Sequence, residues 1–218
     1  MVFLTMSDVE VQKTIGLYCS LMDEIKFRIE WIKSVIHAKI SIAETIGRDI
    51  GFLELRLICE LIALSCAVAH GDIKETRRGR FTEKYQADFF MKALEALKSD
   101  FYPKPMLMIE GQPPIPTAVG QIVLPPPPMQ SGFLTKSDLV KLYRDCGERL
   151  HRGYLPDILD GKQIESEYSM IGKAVDKIVY LLNYHAIDLI TGEEMWCAMI
   201  GGPNGEAFAG KVTARRVP

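Results

Sequence analysis

Ile15, Tyr18, Leu21, Met22, Ile25, Ile29, Ile32, Val35 and Ile36 recur three or four positions apart, with polar residues between them. That period lines one face of a helix. Ser7-Asp8-Val9-Glu10 reads as its capping-box start, and the pattern predicts a long helix to Ile40 or beyond, with a break at Gly47. A second helix is predicted from Asp49 to about Val68, apolar on nearly every side, in which Glu54, Arg56 and Glu60 stand out. A third runs from Phe81 or Thr82 to Lys98, with Tyr85, Phe89, Phe90, Leu94 and Leu97 inward. Thr135 or Ser137 starts a fourth, with Asp138 as the capping acid and an apolar face of Leu139, Leu142, Tyr143, Cys146 and Leu150; Gly153 and Pro156 end it. Lys162 or Gln163 to Tyr184 makes a fifth, with Ile164, Tyr168, Ile171, Val175, Ile178, Val179 and Leu182 on one side.

The tail changes period. Met195–Ile200, the turn residues Gly201–Gly205 and Ala207–Thr213 together predict a β-hairpin. Between the third and fourth helices lie nine of the twelve prolines, from Pro103 to Pro128. Proline locks φ and removes a donor, so this stretch is neither helix nor central strand. Its apolar residues (Met106–Ile109 and Ile122–Leu124) give it surface to bury, so it reads as an ordered extended arm. Met106–Ile109 and Gln121–Leu124 each have room for a short strand, and a polyproline ligand for another module is the competing reading. The fold class expected is therefore mainly α: a bundle of about five helices with a proline-rich extended arm and a C-terminal β-hairpin. Residues 1–186 form the bundle, including the arm at 101–134, and 187–218 form the hairpin appendage.

Composition narrows the functional classes. The 218 residues are 48% hydrophobic and 25% charged, enough for a sizeable core. A net charge of −2 supplies no global basic field, so any nucleic-acid surface has to be a local patch. The densest basic run is Lys74, Arg77, Arg78 and Arg80, in a glycine-containing loop. Five cysteines, an odd number and never in CxxC spacing, read as reduced thiols of a cytoplasmic protein. Met1–Met6 is too short and lacks the basic flank of a signal peptide. Ile50–Ala69 is the most apolar long window, but Glu54, Arg56 and Glu60 inside it argue for a core helix and against membrane association.

Motif spacing removes several chemistries. The four histidines never fall in HxxxH or HExxH spacing, so no metal is expected. Neither GxGxxG after a strand nor GxxxxGK[ST] occurs, so no cofactor is expected either. Cys146 and His151 point about 140° apart around a helix and do not make a thiol–imidazole pair. What remains is Arg144, Glu148 and His151 at i, i+4 and i+7 on the fourth helix. They share one edge, with Arg144 and His151 about 10 Å apart along the axis. A guanidinium and an imidazole so placed can hold a phosphate and move a proton. The bland reading is an Arg144–Glu148 surface pair and a histidine answering the helix dipole. Arg56 and Glu60 form an i,i+4 pair, read either as a register-fixing ion pair or as support behind that edge.

Arg144-Asp145 followed by His151, the Cys146-Gly147 to Leu150-His151 block, the Leu55-Arg56 to Glu60-Leu61-Ile62 helix and Phe101-Tyr102-Pro103-Lys104-Pro105 resemble the HEPN family of helical domains, marked by Arg-x4–6-His with a polar residue after the arginine. The likeness covers about residues 49–184. It implies a metal-independent endoribonuclease of toxin–antitoxin or phage-defence type, with a composite site in a homodimer and a nucleotidyltransferase or antitoxin as partner. On that resemblance Arg144 binds the scissile phosphate, His151 is general base or acid, and Asp145 orients one of them. Arg149, Arg152, Arg77, Arg78 and Arg80 would contact RNA, with Arg56 and Glu60 behind the site. Two departures stand out: Asp145 replaces a frequent asparagine, and Gly147 sits inside the helix at a cost of about 1 kcal/mol against alanine. The long apolar stripe of the first helix and the apolar second helix also argue for a homodimer. The alternative is a non-catalytic module that binds RNA or a partner protein through the Arg144–Arg152 face.

Overall fold

The computed structural model describes residues 8–70, 87–108, 127–150, 167–189 and 192–212. Their architecture is mainly α, five helices with a small antiparallel sheet toward the C-terminus. The helices are α1 (Asp8–Ile36), α2 (Glu44–Ala69), α3 (Ala87–Leu97), α4 (Lys136–Leu150) and α5 (Tyr168–Leu182). The strands are β1 (Lys104–Pro105), β2 (Tyr184–Asp188), β3 (Glu194–Ala198) and β4 (Phe208–Val212), in the order β1-β2-β3-β4. Among the described residues no helix is long and apolar enough to cross a membrane.

The all-round apolar character of α2 has a direct cause: it is the central helix, packed by α1, α3, α4 and α5. Phe52, Leu55, Ile58, Cys59, Ile62, Ala63 and Cys66 bury on different sides of it. On α1 the predicted stripe is met by the core at Tyr18, Met22, Ile25, Ile29, Ile32 and Val35. Each such aliphatic or aromatic side chain contributes about 1.5–3 kcal/mol by burial. Leu17 and Phe27 of α1 and Ile46 and Leu53 of α2 stay exposed beside this core. The predicted break at Gly47 is corrected. Helix α2 begins at Glu44 and Gly47 lies inside it, while the chain turns earlier, with Ala38 in the left-handed region at φ 53. Gly47 lies against α5: a Cβ there would meet the Tyr168 hydroxyl, which would have to shift.

The predicted hairpin is β3–β4, with Trp196 opposite Gly210 and Cys197 opposite Ala209. The sequence reading missed β2. The last helix was expected to reach Tyr184 but stops at Leu182, because strand partners claim the next backbone groups. The Asn183 carbonyl accepts from Met199 N–H (3.0 Å) and the Tyr184 carbonyl from Met106 N–H (2.8 Å). Side chains of β2 and β3 are buried on both sheet faces, which removes the polar alternation that announces a strand. Ile187, Met195, Cys197 and Ala209 join the helical core, while Met106, Tyr184, Ala186, Trp196, Ala198 and Val212 form a second cluster. The boundary placed between 186 and 187 thus falls inside β2, and one core runs across it.

The two described ends of the proline arm are tied together. Leu107 N–H donates to the Pro127 carbonyl and Met129 N–H to the Pro105 carbonyl, each at 2.9 Å. Prolines serve here as acceptors, and Pro105 sits on an edge strand, where a missing donor is tolerated. The short strand expected at Met106–Ile109 lies two residues earlier, at β1, with Met106 bridged to Pro128. The strand expected at Gln121–Leu124 lies outside the described residues.

Candidate functional site

Helix α4 begins with the reciprocal capping box that Thr135 and Asp138 predict. Asp138 N–H donates to Thr135 Oγ1 (3.1 Å), and Thr135 N–H donates to Asp138 Oδ2 (3.4 Å). Partial burial raises the Asp138 carboxyl, but the Thr135 N–H and Lys177 outweigh it and hold the group below the usual carboxylate value. Leu139, Tyr143 and Cys146 are buried, which turns the opposite edge to solvent. On that edge Lys141, Arg144 and Glu148 are exposed, and Asp145 is half-buried. Among the described residues Arg144 has neither a hydrogen-bond nor an ion-pair partner, and it does not pair with Glu148.

Arg56 reaches across from α2 to this helix. Its Nη2 donates to the Tyr143 hydroxyl at 2.7 Å and its Nη1 to the Tyr143 carbonyl at 3.4 Å. The guanidinium lies over the Tyr143 ring, 4.0 Å from the centroid. Glu60 is 3.8 Å from Arg56 Nε, an ion-pair distance but a long one. Gly147 makes this contact possible: a Cβ at 147 would overlap Arg56 Nη1. The helix-weakening glycine is the notch that admits a guanidinium.

At the C-terminal end of α4 a second group of charges closes the structure. Arg48 is buried, 7% exposed. Its Nε donates to Glu167 Oε2 (2.9 Å), and its Nη1 donates to Asp49 Oδ1 (2.7 Å) and to the Arg149 carbonyl (3.2 Å). Arg149 pairs with the other oxygen of Glu167, and both guanidiniums pack against the Phe52 ring, at 5.0 and 5.4 Å. Glu167 holds φ 54, a left-handed conformation that is uncommon for a side-chain-bearing residue and sits at the N-cap of α5. The knot joins the start of α2, the end of α4 and the start of α5.

The sequence-derived candidates therefore separate. Arg144, Asp145, Arg149, Arg56 and Glu60 are described, and Arg56 is brought against the helix that bears Arg144. Arg149 is engaged by Glu167 rather than presented unpaired. His151, Arg152, Arg77, Arg78 and Arg80 lie outside the described residues. Sequence reasoning missed Arg48 and Glu167, which are separated by 119 positions and carry no joint signal. It also missed Tyr143 as the seat of Arg56 and Lys141 as a second exposed cation. Cys146 is buried beside Gly147, and burial, followed by the nearby Asp145, pushes its thiol up to about 12. That thiol is no nucleophile at neutral pH. Among the described residues no three metal-ligating side chains come together.

Comparison with protein-family models, with curated proteins and with solved structures gives no match to this chain.

Proposed function

We propose that this chain acts on RNA through the solvent edge of α4, as a HEPN-like, metal-independent endoribonuclease whose site is completed by a second copy. The observation that carries the reading is Arg144: an exposed guanidinium with no partner among the described residues, on a helix whose other face is locked into the core, at the head of an Arg-x6-His spacing. In this chemistry the 2′-hydroxyl of the substrate attacks the adjacent phosphorus, and its proton passes to an imidazole such as His151. The 5′-oxygen leaves with a proton from a second imidazolium, as two copies of His151 in a composite site would supply, and a 2′,3′-cyclic phosphate remains. Arg144 neutralises charge that grows on the non-bridging oxygens, the kind of stabilisation that a preorganised cation supplies.

The experiment is RNA cleavage by the purified protein in excess EDTA, with the ends analysed for 2′,3′-cyclic phosphate. Arg144→Ala and His151→Ala should each lower the rate by about 10²–10⁴-fold, the range for losing one participant in general acid–base or charge stabilisation. Cleavage unchanged in both variants would assign the activity to a contaminant and end the proposal. Salt-sensitive RNA retention without turnover would identify a non-catalytic binding module on the same edge. A monomer by light scattering under cleaving conditions would remove the composite site.

A further inference from the structure

We infer that Arg56 is a direct phosphate-contacting residue of the α4 edge, delivered through the Gly147 notch to form a two-guanidinium clamp with Arg144 for one phosphodiester of single-stranded RNA. The inference rests on the RNA-directed reading above and extends it to a residue on a different helix. Three observations carry it.

Position comes first. Gly147 is three residues after Arg144 on α4, and residues so spaced are surface neighbours about 5–6 Å apart at Cβ. Arg56 Nη1 occupies the space that a side chain at 147 would take. The two guanidiniums therefore serve neighbouring patches of one helix surface, although they come from different helices. Availability comes second. A guanidinium has five N–H donors, and Arg56 spends two, both on Tyr143. Its side chain keeps 31% of its surface exposed. Charge comes third. Glu60 stands at the Nε side of Arg56 at 3.8 Å, a long ion pair without a hydrogen bond, and Arg144 makes no ion pair among the described residues, although Asp145 and Glu148 share its edge. A phosphodiester between adjoining patches accepts hydrogen bonds from both guanidiniums. Stacking on Tyr143 fixes the plane of Arg56, so little side-chain freedom is lost on binding.

The test is fluorescence anisotropy with a labelled oligouridylate over a range of salt, using the full chain. Arg56→Gln and Arg144→Gln should each weaken binding about tenfold and each reduce the salt slope, and the double variant should lower it by about 0.7, the value for one lost phosphate contact on a single strand. Gly147→Ala supplies the decisive variant. It retains every charge yet displaces the Arg56 guanidinium, so binding should weaken in a variant that circular dichroism shows to be folded. If Arg144→Gln weakens binding but Gly147→Ala and Arg56→Gln leave affinity and salt slope intact, Arg56 is a structural residue and the clamp is overturned while the RNA reading stands. If the parent protein shows no salt-dependent binding, the RNA reading itself falls. Should Arg56→Gln fail to fold, the Gly147→Ala result decides the matter by itself.

Discussion

Tyr18 and His185 share a 2.6 Å hydrogen bond between residues with no solvent exposure, tying α1 to β2. The Leu182 carbonyl lies 2.9 Å from His185 Nδ1 and can only accept, so Nδ1 carries the proton and Nε2 accepts from the Tyr18 hydroxyl. The histidine is neutral, and burial pushes its pKa down from 6.5 to about 4. The unfolded chain thus binds this proton more tightly than the folded one. Stability from this residue is complete above the unfolded value and is lost as pH falls from 6.5 toward 4. The slope is about 1.4 kcal/mol per pH unit in that window, about 3 kcal/mol in all. Urea midpoints of the parent should fall between pH 7 and 5 more steeply than those of His185→Gln. Parallel curves would remove the claim.

Removing the Tyr18 hydroxyl tests the same bond at fixed pH. Tyr18→Phe leaves a buried imidazole nitrogen without its donor, a loss of about 1–3 kcal/mol. Denaturant unfolding at pH 7 measures it, and an unchanged midpoint would show that His185 finds another partner.

The Arg48–Glu167–Arg149 knot makes a rank-order prediction. Glu167→Gln leaves two guanidiniums around a neutral amide and should cost about 3 kcal/mol. Arg48→Met keeps an unbranched apolar side chain and leaves Glu167 paired with Arg149, so it should cost less. The reverse order in urea unfolding would mean that Phe52 packing, rather than charge pairing, holds this end of α4.

Thiol chemistry separates the cysteines. Cys59, Cys66, Cys146 and Cys197 are buried, and burial first of all drives every one of these thiols up, Cys66 and Cys146 to about 12. Cys19 is half-buried, and its thiol is also raised chiefly by burial. Iodoacetamide at neutral pH should label Cys19 ahead of the other four, and all five should react once guanidinium unfolds the chain. Rapid labelling of Cys146 in the folded protein would contradict its place in the core.

Arg144 on the α4 edge and Glu60 on α2 should be cheap to change, whereas the cap of α4 should not. Arg144→Ala and Glu60→Gln should move stability by about 0.5 kcal/mol or less, as exposed or weakly paired groups do. Thr135→Ala removes a capping acceptor and should cost about 1 kcal/mol. Thermal midpoints of the three variants decide this. A large drop in Arg144→Ala would show that the arginine supports the fold.

Much of this architecture was legible because it depends on local periodicity. The α1 stripe, the Thr135–Asp138 cap, the apolar face of α4 and the β3–β4 hairpin all arise from residues within a few positions of one another. Chain order alone put Arg144 on the exposed edge, since Leu139, Tyr143 and Cys146 determine which side of the helix is buried. Tertiary packing decided the rest. Strand β2 carries no polar alternation because both of its faces are covered, so its sequence resembles a helix end. Gly47 reads as a breaker until Tyr168 of α5 is seen against it. Arg56 reads as half of an i,i+4 pair, yet its closest partner is Tyr143, 87 positions away. Gly147 looks like a defect of α4, and its purpose appears only when α2 supplies the guanidinium that fills the gap. Contacts between distant segments depend on how helices cross, and the local hydrophobic pattern specifies which face is buried without specifying what it meets.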